Sequence, residues 1–256
     1  MLAQKVLETA KEYLAGKRIK DAVIGLSLIA IQLDDDSVGI SYMLREHLPA
    51  GCSAFPYGRE ILGKPAGEVA EWVLTGREDA QKGIGMAVLT AASHSQDLQD
   101  VDEAKGPFGL DLSPTDVIGM IGYVKPVARE LQKRTRKVII FDWGQSVRGG
   151  HTGLLAPMEE QPKLLPECDV VFLSGTTVTN GTVDELLKMC PKAREVVMLG
   201  PSTPMFPAAF RDTPITVLAG SWWKSRYKEK IFKDVSLACG ISHLREYMIK
   251  KAVAVG

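Results

Sequence analysis

The chain has 256 residues, with 31 Lys plus Arg against 31 Asp plus Glu, so it is long enough for a well-buried core and carries no overall positive field to attract nucleic acid or an anionic membrane. The longest apolar stretch, residues 22–33, is about half of what a bilayer span requires, and the first 16 residues lack the continuous apolar core of a secretion signal. Four scattered cysteines, Cys52, Cys168, Cys190 and Cys239, include no CxxC pair, which suits a reducing compartment and leads us to expect a cytoplasmic protein.

Residues 2–16 place Val6, Leu7, Ala10, Tyr13 and Leu14 on one helical face, with Gly16 as a natural C-cap. The β-branched stretch 21–33 predicts a strand and 38–43 a second, forming a hairpin across Asp34, Asp35 and Asp36. Three adjacent carboxylates could hold a hard cation, but a turn also favours Asp through side-chain to backbone hydrogen bonds. Helices are predicted over 65–74, with Pro65 near the first turn, and over 78–93. Residues 96–113 are polar, acidic and aperiodic, as a connection between a domain at 1–100 and another at 101–256 would be.

Beyond that connection, short apolar strands at 117–123, 138–143, 170–175, 196–200 and 215–220 alternate with helical segments at 126–134, 182–190, 207–210 and 227–233. A terminal helix is expected over 236–254. Such alternation reads as buried parallel strands joined by right-handed crossovers. The fold class is therefore α/β: a small α+β domain followed by a doubly wound, Rossmann-like parallel-sheet domain, with its ligand at the C-terminal ends of the strands.

The loops at those strand ends carry the candidate residues. After the first strand come Gly122 and Lys125, followed by Pro126; Gly119 and Gly122 do not make a GxGxxG fingerprint, which disfavours a nicotinamide dinucleotide. Asp142 stands 20 residues after Gly122, where an acid often accepts hydrogen bonds from ribose hydroxyls; it could equally be a strand-end or capping carboxylate. After the third strand, Gly175, Thr176, Thr177, Asn180 and Gly181 offer hydroxyls and main-chain amides to a carboxylate or phosphate, and Thr182 with Glu185 forms a capping-box pattern. After the fourth, Gly200, Ser202 and Thr203 lie in a loop pinned by two prolines, with no GxSxG elbow around Ser202. Of His47, His94, His151 and His243, none is at metal-ligand spacing with another, and His151 is the best placed to act near Asp142.

The segment 55–93, with Gly58, Arg59, Gly63, Lys64, Pro65, Gly85, Ala87 and Ala91, together with the motifs at 175–182 and 200–204, resembles the family described as putative heavy-metal chelation proteins. That resemblance implies an N-terminal domain like the first domain of enolase, a Rossmann-like second domain and a site between them. It implies no enolase chemistry, since only a capping domain is shared. As cofactor it suggests a heavy metal or a metal-bearing cofactor. Family members often carry asparagine where this chain has Thr90. Arg59 would complement an anionic ligand at the cleft, or form a surface ion pair.

The function expected is binding of a small anionic, nucleoside-like or metal-chelating ligand in the cleft between the domains, within heavy-metal or metal-cofactor handling. The alternatives are a transferase or synthase acting on a metal-cofactor precursor, with Asp142 holding a nucleotide or S-adenosylmethionine, and a non-enzymatic metal-binding module. The expected partner is a small molecule, with no nucleic acid and no membrane; a homodimer is admitted, though no sequence feature points to one.

Overall fold

The structure, a computed structural model, describes residues 1–48, 55–147 and 155–256. The chain opens with helix α1 (Leu2–Leu14), then the strands β1 (Ile19–Ile24), β2 (Leu28–Leu33) and β3 (Val38–Tyr42). These form an antiparallel meander in the order β1-β2-β3. The stretch expected as one strand is thus two, because the chain reverses at 25–27, where Gly25 N–H donates to Leu28 O at 2.9 Å. The apolar run hid the turn because β2 is buried on both faces and so shows no alternation. Asp34 to Asp36 do form a turn: Asp35 pairs with Lys17 at 2.6 Å and accepts from the Ser37 N–H and hydroxyl, and Asp36 pairs with Lys20 at 2.6 Å.

The expected helix at 65–74 is broken at Glu71 into α2 (Ala66–Ala70) and α3 (Trp72–Thr75). Helix α4 (Asp79–Ala92) packs along β2 and β3 and is buried almost throughout. Thr90 is buried there, its hydroxyl donating to Ala87 O at 2.9 Å and Ile40 O at 3.3 Å, so it ties the helix to β3.

The second sheet follows, with β4 (Val117–Ile121), α5 (Lys125–Arg134), β5 (Lys137–Phe141), α6 (Trp143–Val147), α7 (Gln161–Leu164), β6 (Val170–Ser174), α8 (Thr176–Thr179), α9 (Val183–Lys188), β7 (Glu195–Leu199), β8 (Val217–Trp223), α10 (Lys228–Ser236) and β9 (Met248–Ala254). Its order is β5-β4-β6-β7-β8-β9. All pairs are parallel except β8 with β9. Successive residues of the inner strands alternate between two apolar layers: Ile118, Met120 and Phe172 on one face meet Leu131 of α5, while Ile121, Val171 and Leu173 on the other join the core built by α1, α4 and α9.

The terminal helix expected over 236–254 is absent. Its last third is β9, an antiparallel edge strand registered against the whole of β8, from Val217 with Ala254 to Trp223 with Met248. The long-range pairing of β8's main-chain groups outweighs a local helical preference. The segment expected as a connection also covers sheet surface: Val101 N–H donates to Ala252 O at 2.8 Å, and Phe108 packs on Phe172 with ring centroids 5.6 Å apart.

One apolar core is shared by residues from both halves of the chain. Helix α10, late in the sequence, packs on the early meander, where Ile231, Phe232 and Val235 meet Leu28, Ala30 and Ile40. No helix of the described residues is long and apolar enough to cross a membrane.

Candidate functional site

Strand β4 has β5 on one side and β6 on the other, so the crossover from β4 to β5 and that from β6 to β7 run in opposite directions and the loops after β4 and β6 diverge. In an open parallel sheet that divergence opens a crevice at the carboxyl edge. Here it is a cavity of about 700 Å³. Its floor and sheet-side wall include Gly122, Tyr123, Asp142, Trp143, Ser174 and Thr176, and the facing wall is the end of β3 with the turn after it, Tyr42 to Glu46, plus Asp79 at the start of α4.

Gly122 has φ +88°, a left-handed value that favours glycine, and a Cβ there would lie 2.8 Å from the Cβ of Ser174. This close approach of the two loops puts the Ser174 and Thr176 hydroxyls, 2.8 Å apart, at the crevice floor. Asp142 spans the neighbouring turns, one carboxylate oxygen accepting from Tyr123 N–H at 2.7 Å and the other from Gln145 N–H at 2.8 Å. The second bond caps α6. Trp143, next in sequence, lines the cleft and is 53% exposed.

Gly122, Asp142, Thr176, Thr177 and Asn180, all singled out in the sequence, line this cavity. Thr177 is nearly buried and its hydroxyl donates to Ser174 O at 2.8 Å. Asn180 is exposed and its amide oxygen accepts from both the N–H and the hydroxyl of Thr182. The Thr182 side chain therefore caps no N–H of α9, and Glu185 pairs instead with Lys188 at 2.6 Å, so the expected capping box is not formed. Residues 176–179, expected as loop, form the single helical turn α8. The Thr177 hydroxyl bond to a carbonyl three residues back supports that turn despite four low-propensity residues.

The remaining candidates lie elsewhere. Gly175 is buried under the cleft, where a Cβ would meet Ser202 C and Thr203 N at 2.5 Å. Ser202 and Thr203 are each 1% exposed: the Ser202 hydroxyl accepts from Tyr42 N–H at 2.9 Å, and the Thr203 hydroxyl is buried with no partner among the described residues. Gly200 and Gly181 make turns with φ +107° and +77°, and neither is among the residues lining the cavity, although Gly181 sits between the lining residues Asn180 and Thr182. Lys125 and Arg59 are exposed and outside the lining. The sequence reading missed Tyr42, Arg45, Asp79 and Trp143, which reach the cavity through tertiary packing. The local signal for Trp143 was its place directly after the strand-end acid.

The loop after β7 serves a junction. Beside the Ser202 to Tyr42 bond, His94 at the end of α4 accepts from Trp223 N–H at 3.2 Å through Nε2, and Trp222 Nε1 donates to Ser93 Oγ at 3.0 Å. Burial holds the His94 pKa down, from 6.5 to about 4, in keeping with a neutral ring that accepts a hydrogen bond.

Among the described residues, no three His, Cys, Asp or Glu side chains converge to hold a metal ion. Cys168 and Cys190 are buried, their thiols donating to Leu164 O and Leu186 O, and burial pushes them up to about 12 and about 11, away from the thiolate that binds metal. Cys52 and His151 lie outside the described residues. The described donors thus do not fit a resident heavy-metal centre.

Family models described as putative heavy-metal chelation match residues 7–93 and 107–254. The chain belongs to that family. Similar solved structures include a family member of unknown function from Pyrococcus horikoshii, with TM-score 0.80 and 20% identity over 99% of this chain and 100% of that one. Another, from Desulfitobacterium hafniense, has TM-score 0.75 and 19% identity over 98% of each chain. At these identities the likeness is one of fold. An uncharacterised protein of Methanocaldococcus jannaschii is 30% identical over 143 residues, 55% of this chain, and the match spans about half (54%) of that relative's length.

Proposed function

We propose that this member of the putative heavy-metal chelation family binds a small organic ligand in the carboxyl-edge cleft, with the N-terminal part acting as its cap. The observation that carries the reading is the cavity of about 700 Å³ at the β4/β6 divergence, walled on its far side by residues 42–46. Ligand pockets favour this place because strand-end loops present polar groups around an unfilled crevice. The family's metal connection is then met by a ligand that itself carries the metal, since the described side chains gather no donor set of their own.

Native mass spectrometry of gently purified protein tests this directly. A small molecule retained by the wild type and lost from Thr176→Val, without a change in thermal unfolding, is the expected outcome. A protein that retains and binds nothing, or whose retained molecule survives Thr176→Val and blocking substitutions at Ser174 and Trp143, would remove the cleft from consideration. Stoichiometric heavy metal remaining after the organic molecule is dialysed away would instead point to direct chelation.

A further inference from the structure

We infer that two copies of this chain associate through the side of the large sheet that carries α5, the basic outer face of α5 in each copy meeting the acidic segment 97–111 of the other. This surface is separate from the cleft and does not depend on what binds there. The first observation is where the charge lies. The chain is neutral as a whole, yet residues 125–137 hold six Lys or Arg against one Glu, and residues 97–111 hold five Asp or Glu against one Lys. Lys125, Arg129 and Lys133 recur every four residues along the exposed side of α5, opposite the buried Ala128 and Leu131, and Arg134, Arg136 and Lys137 carry the charge past the helix end. Glu130 pairs with Arg134 at 2.7 Å and with Lys133 at 3.8 Å, whereas Lys125, Arg129 and Arg136 form no ion pair among the described residues. In the acidic segment Asp100 pairs with Lys251 at 2.8 Å, whereas Asp97, Asp102, Glu103 and Asp111 are exposed and form no ion pair among the described residues.

The second observation is that the fold sets both runs on one surface. Ala128 and Leu131 of α5 and Phe108 and Leu110 of the acidic segment share one apolar layer on the same face of the sheet. Along the strand order β5-β4-β6-β7-β8-β9, α5 connects β4 to β5, Phe108 packs on Phe172 of β6, and Val101 is bonded to Ala252 of the edge strand β9. Strand β9 lies five strand spacings from β5, roughly 24 Å, well beyond the ~8 Å over which exposed charges act in physiological salt. The carboxylates of residues 97–103, beside β9, therefore cannot neutralise the α5 run within one molecule. A two-fold axis normal to the sheet and between the runs lets each run meet its opposite, twice per pair of chains. Phe108, half-buried on β6 between the runs, and Leu112 in the same layer supply an apolar centre inside a charged rim. A nucleic acid would gain from α5 but be repelled by the acidic segment; a second copy satisfies both.

Sedimentation of the full-length chain at about 50 mM and about 500 mM sodium chloride tests this. The expected result is a dimer whose dissociation constant rises about ten-fold or more at the higher salt. Lys125→Glu with Arg129→Glu should give a monomer, and so should Asp97→Lys with Glu103→Lys, each with unchanged thermal unfolding because these side chains are exposed and outside any ion pair. Mixing the two variants should restore association, as a heterodimer in which both contacts are complementary again. Should a reversal lower thermal unfolding, the neutral pair Lys125→Gln with Arg129→Gln takes its place and should weaken dimerisation about ten-fold. A monomer at both salt concentrations, a dimer indifferent to salt or to either reversal, or a mixture that stays monomeric would overturn the inference. So would a monomer that binds a nucleic-acid oligonucleotide and loses it on Lys125→Glu with Arg129→Glu, since the α5 face would then belong to that partner.

Discussion

The carboxyl edge of the large sheet is divided into two halves that carry similar polar loops and do opposite things. Over β4 and β6, the hydroxyls of Ser174 and Thr176 face an open cavity. Over β7 and β8, the hydroxyls of Ser202 and Thr203 are buried, and the strand ends are bolted to the N-terminal part through Ser202 to Tyr42 N–H, Trp223 N–H to His94 and Trp222 to Ser93. A serine- and threonine-rich loop at a strand end thus has two possible fates. What decides between them is whether another part of the chain is packed on top.

The largest effect that would test this division is at Gly175, where the two loops touch. Gly175→Ala would drive a Cβ to 2.5 Å from the backbone of Ser202 and Thr203, so something must move. We expect a loss of about 3 kcal/mol or more in urea unfolding, together with weakened binding in the cleft, since both halves are displaced.

Acid should loosen the sealed half first. His94 is neutral when folded, with its pKa held to about 4, whereas the unfolded chain takes up that proton near pH 6.5. Stability is therefore intact above about pH 6.5 and declines as the pH falls toward 4, by up to about 3 kcal/mol from this residue. Urea midpoints between pH 7 and 4.5 should show the slope in the wild type and a flatter profile in His94→Gln. An unchanged slope in that variant would assign the acid sensitivity to other groups.

Ser202→Ala should cost about 1–2 kcal/mol of stability, because the Tyr42 N–H loses its acceptor in a nearly dry junction, while cleft binding is retained. A loss of binding without a loss of stability would mean that the sealed half reaches the ligand after all.

Smaller effects should sharpen the boundary within the open half. Thr177→Val should cost about 1 kcal/mol of stability, because its hydroxyl supports the turn of α8, and thermal unfolding would register it. For Thr182→Ala we expect about 0.5 kcal/mol or less, since its hydroxyl bonds an exposed Asn180 and caps no helix. Equal losses in the two variants would restore the capping role for Thr182.

Much of the second sheet was legible because each of its inner strands is a short, continuously apolar run bounded by turn residues, a pattern set by burial on both faces. The helix α4 and the place of Asp142 at a strand end were legible for similar local reasons. The expected strand at 21–33 and the expected helix at 236–254 were misread for a common reason. In both, the outcome depends on a partner far away in sequence: α10 across the meander, and β8 beside β9.

By itself the sequence determined the α/β class, the positions of β4 to β8 and which loops would gather at the carboxyl edge, because periodicity and turn chemistry act over a few residues. Only the tertiary structure decided which of those loops stayed open. Docking of the β3 end onto Ser202 and of His94 onto Trp223 seals one half, while residues 42–46 stand across a gap from the other. Both contacts join segments more than a hundred residues apart, and their energy comes from burial and hydrogen bonds that no local pattern records.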